Sequence, residues 1–110
     1  MSTNSIRNPY LPTPMHVLHA YYESTDRTLK TLELSFDNPQ DSAAFFRKFN
    51  PGQFCQLSVF GKGESPIGVA SAAWEGDFVR FTVQKMGAVT KALHKLQPGD
   101  TLGMRGPLGN

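Results

Sequence analysis

The sequence predicts a mainly β fold, a six-stranded antiparallel Greek-key barrel with one short helix late in the chain. Short segments of alternating apolar and polar residues recur along the chain, and turn residues separate them. The links are short and the best helical pattern comes late, at residues 89–96, which favours a closed sheet over alternating strands and helices. A chain of 110 residues is long enough for one domain with a single core.

The first half of the chain contains two predicted strands and a brief helical segment. Residues 1–14 are polar and rich in proline, so we expect an extended arm before a barrel domain at residues 15–110. His16 to Tyr22 alternates and predicts the first strand. Thr28 to Phe36 predicts the second, because Leu32, Leu34 and Phe36 share a face. Asp41-Ser42 is suited to cap a short helix that extends through Phe49.

The stretch from Asn50 to Ser71 predicts a hairpin whose second strand carries small residues. Gln53 to Val59 alternates, with Cys55, Leu57 and Val59 on one face, and Gly61-Lys62-Gly63-Glu64 reverses the chain. Small side chains on a strand that has room for larger ones predict that a flat, bulky group approaches the backbone, which points to a cofactor. These small residues are Gly68, Ala70, Ser71, Ala72 and Ala73.

The last third of the chain predicts two strands around a helix. Gly76-Asp77 is a hairpin-type turn, and Phe78 to Val83 alternates with its apolar residues facing inward. Val89 to Leu96 has one apolar stripe and predicts the late helix. Thr101 to Arg105 predicts a last short strand, and Gly106 to Asn110 predicts a turn.

The segment Gly87-Ala88-Val89-Thr90 follows a strand and opens the late helix. Glycine there lets backbone N–H groups converge, a helix start carries partial positive charge, and Thr90 adds a hydroxyl donor. Lys85, Lys91 and Lys95 add a favourable field for a phosphate or pyrophosphate. An ordinary glycine turn into a helix with solvated lysines explains the same pattern, so both interpretations stay open.

Composition disfavours several classes of function. The net charge of +2 comes without a basic stripe, which argues against nucleic-acid binding. Cys55 is the single cysteine, which excludes an intrachain disulfide, a cysteine zinc site and a four-cysteine iron–sulfur cluster within this chain; we expect it to fill the core. An unpaired cysteine, no apolar run of membrane-spanning length and a polar N-terminus predict a cytoplasmic protein.

The remaining polar and aromatic candidates predict no metal or catalytic site. His16 and His19 are placed on opposite faces of one strand, and His94 is placed on the solvent-facing side of the late helix. Trp74 is expected to line the barrel. No serine–histidine–acid set or carboxylate pair has the spacing of a hydrolase. We therefore predict no catalytic residue and no metal ligand.

Several motifs together carry a resemblance to a known family. They are Phe49-Asn-Pro-Gly-Gln-Phe, Glu64-Ser-Pro-Ile-Gly-Val-Ala-Ser, Gly87-Ala-Val-Thr-Lys-Ala-Leu, and Pro98-Gly-Asp with Gly106-Pro-Leu-Gly. In order and spacing these resemble the FAD-binding barrel of the ferredoxin–NADP reductase superfamily, from about His16 to the C-terminus. The resemblance is nearest to the branch that contains hydrogenase and sulfhydrogenase gamma subunits, the B subunit of anaerobic sulfite reductase and the electron-transfer subunit of dihydroorotate dehydrogenase.

The resemblance implies FAD as the cofactor and gives three segments roles in binding it. Residues under the isoalloxazine ring would be Ser65, Pro66, Ile67, Gly68 and Val69. Residues along the ribityl and phosphate part would be Val83, Gln84 and Lys85, and Gly87, Ala88, Val89 and Thr90 would hold the pyrophosphate. Three departures from the family motif stand out. The arginine of the motif is absent, and Glu64-Ser65 stands in that region. Ile67 takes the tyrosine position. Gly68 takes the serine position, so only a backbone N–H or the Ser71 hydroxyl could reach flavin N5.

The function implied is that of the FAD-binding module of an NAD(P)H-linked electron-transfer flavoprotein. Hydride would pass from a nicotinamide to flavin N5, and electrons would pass singly to an iron–sulfur centre on a partner. The family's nicotinamide-binding domain begins where this chain ends, at Asn110. We therefore expect a truncated chain, a gene fragment or a split subunit, which needs a nicotinamide-binding domain or subunit and turns over little alone.

Two other functions remain as alternatives. Ile67 and Gly68 replace aromatic and hydroxyl contacts of the family motif. They suggest a barrel that has lost its flavin and serves as a docking or assembly module of an oxidoreductase complex. A nucleic-acid-binding barrel ranks last, because Arg80, Phe81 and Lys85 are too few to form a basic and aromatic sheet face.

Overall fold

A computed structural model describes residues 11–74 and 77–109 as one closed barrel of six antiparallel strands. Around the barrel the strand order is β1-β2-β5-β4-β3-β6, so β2 lies beside β5 in a Greek-key arrangement. The predicted fold class is confirmed. The strands are β1 (Thr13–Tyr22), β2 (Leu29–Phe36), β3 (Phe54–Val59), β4 (Gly63–Ala73), β5 (Phe78–Gln84) and β6 (Thr101–Leu108), and the helices are α1 (Pro39–Lys48) and α2 (Ala88–His94).

The core forms from the alternating residues that the sequence placed on the inner face. Val79, Phe81 and Val83 of β5 are fully buried, as are Leu32 and Leu34 of β2. Side chains that point alternately in and out of a strand explain why the pattern predicted the burial. Further buried members of the core include Met15, Val17, Phe45, Cys55, Leu57, Leu93 and Met104.

The first strand is longer than predicted and contains a bulge. It begins at Thr13, inside the segment expected to be an arm, because Thr13 pairs with Met104 of β6. The register against β2 shifts between Val17 and His19, so that Leu18 is an extra residue without a partner. The bulge places His16 and His19 on the same outer face of the barrel, and the prediction that they face opposite ways was wrong. Of the predicted arm, residues 1–10 lie outside the described part of the chain.

The first helix starts two residues before the predicted position. Asn38 caps it, with its Oδ1 accepting a hydrogen bond of 2.8 Å from the Gln40 N–H, and Pro39 occupies the first turn. The helix packs aromatic rings onto Phe36 at one end of the barrel. Trp74 meets Phe46 edge to face and is 56% exposed, so it does not line the barrel as expected.

The second helix closes the opposite end of the barrel, and the last strand runs past its predicted end. Helix α2 packs against β3, β4 and β5. Strand β6 continues to Leu108, which pairs with Phe54, although a turn was predicted from Gly106. Two residues of β6, Gly106 and Pro107, lie opposite the single Cys55, and this bulge accommodates a proline within the sheet. Of the predicted Gly76-Asp77 turn, Gly76 lies outside the described residues.

Candidate cofactor site

The outer surface of β4 is open and carries little side-chain bulk. Pro66, Gly68 and Ala70 are exposed, and a Cβ built on Gly68 would meet nothing within 4 Å. Ser65 and Val69 are partly buried, while Ile67 points inward and belongs to the core. A flat group therefore has direct access to the backbone around Gly68, but the Ile67 side chain offers it no surface for stacking.

The hydroxyl of Ser71 already has a partner. A bulge between Val69 and Ser71 sets Ser71 opposite Arg80 on the outer face, and its Oγ accepts a hydrogen bond of 2.9 Å from Arg80 Nη1. Arg80 in turn forms an ion pair of 2.8 Å with Glu33. Burial raises the pKa of Glu33, but hydrogen bonds from His19 and Arg80 outweigh it and hold that pKa below its ordinary value. This network orients Ser71 towards Arg80.

The end of β5 leads directly into the Gly87 turn. Val83 is buried, Gln84 and Lys85 are exposed, and the Lys85 N–H donates to the Thr28 carbonyl over 2.8 Å. That hydrogen bond fixes the chain as it leaves the sheet beside the start of β2. The predicted succession of strand, glycine and helix is therefore present.

Thr90 organises the turn from within the helix. Its Oγ1 accepts hydrogen bonds of 2.8 Å from the N–H groups of Met86 and Gly87 and donates to the Gly87 carbonyl. The N–H groups of Ala88 and Val89 belong to the first turn of the helix, where the helix itself offers no acceptor. The donors that this turn offers to an anion are thus backbone N–H groups, while the hydroxyl of Thr90 holds their positions.

The two predicted segments lie near each other in space. Val89 packs close to the start of β4, where a Cβ built on Gly63 would lie 3.6 Å from its Cγ2. Strand β4 also pairs with β5, so the open β4 face and the Gly87 turn belong to neighbouring elements. Lys85, Lys91 and Lys95 are exposed around the helix, as the sequence predicted.

An ion pair flanks the outer face where the family motif carries an arginine. Arg105 of β6 reaches across β3 to Glu64, with Nη2 and Oε1 separated by 2.6 Å. The hydrogen bond from Arg105 lowers the pKa of Glu64, and the same contact raises the pKa of Arg105. Spacing along the chain gave no signal for this pair, because strand pairing alone brings residues 64 and 105 together.

His94 was predicted to lie on the surface, and this prediction was wrong. It is only 5% exposed, and its Nε2 lies 2.6 Å from the Val83 carbonyl. Lys30, for which the sequence predicted no role, is also buried and donates through Nζ to the carbonyls of His94 and Leu96. Its alternation with Leu32 and Leu34 on the inner face of β2 was the available signal.

Metal ligation finds no support in the described residues. His16 bonds to Asp37 and His19 bonds to Glu33, so each imidazole has its own carboxylate partner. Across residues 11–74 and 77–109, no group of three or more histidine, cysteine, aspartate or glutamate side chains is arranged to hold a metal ion. No helix in these ranges is long and apolar enough to cross a membrane.

Two cavities lie beside the predicted site rather than within it. One of about 260 Å³ separates α1 from the end of β6. Another, of about 500 Å³, lies between the segment at Pro12 and the β3–β4 turn and reaches Gly63 and Glu64. The predicted site itself includes exposed residues of β4 and of the Gly87 turn.

The amino-acid sequence is similar to gamma subunits of sulfhydrogenases and to electron transfer subunits of dihydroorotate dehydrogenase B. It is 39% identical over 103 residues to the gamma subunit of sulfhydrogenase 1 from Pyrococcus furiosus, covering 94% of this chain and 34% of that subunit. It is 41% identical over 61 residues to a probable dihydroorotate dehydrogenase B (NAD+) electron transfer subunit from Methanocaldococcus jannaschii, covering 56% of this chain and 21% of that subunit. The chain thus spans about a third or less of the length of these relatives. No family model matches the sequence.

Solved structures share the barrel. An NADH-dependent reduced ferredoxin–NADP oxidoreductase, studied for flavin-based electron bifurcation, superposes with a TM-score of 0.72 at 25% identity, covering 86% of this chain and 32% of that one. A ferredoxin–NADP+ reductase from Neisseria gonorrhoeae with bound FAD and NADP superposes with a TM-score of 0.69 at 23% identity, covering 89% and 38%. These likenesses confirm the resemblance drawn from the sequence motifs.

Proposed function

This chain is a homologue of sulfhydrogenase gamma subunits with a barrel of the ferredoxin–NADP reductase type, and we propose that it is the FAD-binding module of an NAD(P)H-linked electron-transfer flavoprotein. The observation that carries the proposal is the open β4 face beside the Gly87 turn, within a barrel that its relatives share. A flat ring and a diphosphate are the two parts of FAD that such surfaces suit.

The described residues fit FAD in two respects. Gly68 leaves open space where a side chain would obstruct a ring. The N–H groups of Ala88 and Val89, which lie in the first turn of the helix without an intrahelical acceptor, suit the oxygens of a diphosphate, and Thr90 fixes the turn that carries them. The ring would lie along Ser65, Pro66, Ile67, Gly68 and Val69, the ribityl part along Val83, Gln84 and Lys85, and the diphosphate at Gly87, Ala88, Val89 and Thr90.

Within this proposal, the chain's residues bind and orient rather than react. Flavin, when bound, supplies two-electron exchange with a nicotinamide and one-electron exchange with an iron–sulfur centre. No described residue needs to act as an acid or a base. The Ser71 hydroxyl accepts a hydrogen bond from Arg80 and keeps its own proton, so either this O–H or a backbone N–H near Gly68 would supply the polar contact to the ring.

The electron partners follow from the same proposal. We expect a nicotinamide-binding domain or subunit to supply the hydride and an iron–sulfur protein to receive electrons. The only cysteine of the chain, Cys55, is buried, and a single thiol cannot ligate a four-cysteine cluster. A cytoplasmic location is part of the proposal, since an unpaired cysteine suits a reducing compartment.

A flavin-free docking module is the second candidate, and one observation favours it. Ile67 lies in the core and β4 contains no aromatic residue, so this strand offers no ring for stacking on its outer face. Such a barrel would fold normally and leave added FAD unbound.

A substitution at Gly68 distinguishes the two functions. Gly68→Leu places a side chain in open space without a strained backbone, so the fold should persist while the ring loses its surface. We expect FAD affinity, measured by flavin fluorescence, to fall by at least about tenfold, which corresponds to roughly 1.4 kcal/mol. Thr25→Leu, on the exposed β1–β2 turn, is the matched control and should bind FAD as the unmodified chain does. Equal affinity in both variants would contradict the proposed ring site.

A further inference from the structure

Two polar side chains lie buried where α2 meets the barrel, at the end that holds the Gly87 turn. Lys30 is 7% exposed and His94 is 5% exposed. Lysine is almost never buried without partners, because removing its polar head from water is costly. Their hydrogen bonds therefore indicate what the two side chains hold in place.

Lys30 binds the C-terminal end of α2. Its Nζ donates to the carbonyls of His94 and Leu96 over 2.7 and 3.2 Å. Carbonyls in the last turn of a helix lack partners within the helix and carry partial negative charge, which a lysine complements. The Tyr22 ring covers the same Nζ, with its centroid 5.1 Å away. Lys30 thus fastens the end of α2 to β2.

His94 connects helix α2 to strand β5. Its Nε2 lies 2.6 Å from the Val83 carbonyl, and because a carbonyl only accepts, Nε2 carries the proton and donates. Its Nδ1 is buried without a partner among the described residues. Val83 is the last inward residue of β5 before the chain turns towards Gly87. His94 thus connects the last turn of α2 to the strand from which the turn departs.

Together with these contacts, further hydrogen bonds hold the Gly87 turn and helix α2 in place. The turn is held from within by Thr90, which binds the N–H groups of Met86 and Gly87. It is held at its start by the Lys85 N–H, which donates to Thr28. Lys30 and His94 hold the far end of the helix, so α2 is fastened at both ends.

We propose that Lys30 and His94 are positioning residues that hold α2 and the Gly87 turn in the geometry that receives the FAD diphosphate. This inference rests on the proposed function, because it assigns Lys30 and His94 to the support of FAD binding. Neither side chain touches the diphosphate site; both act through the helix. The alternative, that they stabilise the barrel as a whole, predicts equal effects on every flavin.

The test compares FAD with riboflavin, which has the ring but no phosphate. Lys30→Met removes the donors at similar length, Lys30→Arg restores donors, and Lys48→Met is the control at an exposed lysine on α1. We expect Lys30→Met to bind FAD about tenfold more weakly, since a hydrogen bond from a charged donor is lost, with riboflavin affinity unchanged within about twofold. Lys30→Arg should recover most of the FAD affinity, and Lys48→Met should retain all of it.

Amide hydrogen exchange in the ligand-free protein gives a second readout. Lys30→Met should accelerate exchange at Met86 and Gly87, because a displaced helix no longer holds the Thr90 hydroxyl in place. Unchanged exchange there, or equal losses of FAD and riboflavin affinity, would overturn the inference. If the unmodified chain does not bind FAD, the proposed function is wrong. The hydrogen-exchange measurement would then still show whether Lys30 holds the Gly87 turn in place.

Discussion

Thr90→Val removes the hydroxyl that organises the Gly87 turn while keeping the shape of the side chain. In the structure, Thr90 Oγ1 accepts two hydrogen bonds of 2.8 Å, from the N–H groups of Met86 and Gly87. Each bond contributes about 1 kcal/mol, because Met86 and Gly87 are exposed and water partly satisfies their N–H groups once the hydroxyl is gone. The expected loss is therefore about 2 kcal/mol in the free energy of unfolding.

The assay is urea and thermal unfolding followed by circular dichroism. For a domain of this size, a loss of about 2 kcal/mol corresponds to a midpoint lower by roughly 10 °C. Thr90→Ser keeps the hydroxyl and should stay within about 1 kcal/mol of the unmodified chain, with Thr25→Val as an exposed control. If Thr90→Val unfolds at the same midpoint as Thr90→Ser, the capping role assigned to the hydroxyl is wrong.

Three further predictions follow from buried or charged groups. Gly106→Ala should lower the free energy of unfolding by about 3 kcal/mol in a urea titration, because the added Cβ would lie 2.9 Å from Cys55 Sγ and the residue has a φ of +145°. Gly99→Ala is the control. Gly99 has a φ of +94° but an added Cβ would meet nothing within 4 Å, so this variant should lose only about 1 kcal/mol in the same titration. Burial raises the pKa of Cys55 to about 12, so iodoacetamide at pH 8 should leave the folded chain unmodified, and mass spectrometry showing rapid alkylation would refute this. The pKa of Glu33 lies below its ordinary value of 4.5, so its charge stabilises the fold above that pH, and this stabilisation is lost as the pH falls. In a plot of the free energy of unfolding against pH, Glu33→Gln should therefore flatten the decrease on the acid side. An unchanged plot would contradict this prediction.

Local pattern was sufficient to predict the barrel because long stretches of its strands alternate between inward and outward residues. Val79, Phe81 and Val83 face inward as predicted, and so do Cys55 and Leu57. Where the pattern was interrupted, prediction failed for identifiable reasons. The bulge at Leu18 reverses the alternation of β1, and long-range pairing with Phe54 keeps Gly106 to Leu108 in a strand. Neither effect is visible in neighbouring residues.

The candidate site could be predicted in part. Gly87 and Thr90 adopt the expected strand-to-helix turn, and Gly68 leaves the expected open surface. His94 was misplaced because a seven-residue helix that closes a barrel end buries more than one stripe, and only the tertiary contact with Val83 shows it. Lys30 was overlooked because lysine is ordinarily exposed, although its place on the inner face of β2 indicated burial.

The most direct test of the account is a visible absorption spectrum of the purified chain, followed by titration with FAD. The account predicts flavin absorption bands in the purified protein, or saturable FAD binding that Gly68→Leu weakens and Thr25→Leu does not. A folded chain that is colourless and leaves FAD fluorescence unchanged throughout the titration would contradict it. That result would instead favour the docking module suggested by the inward orientation of Ile67.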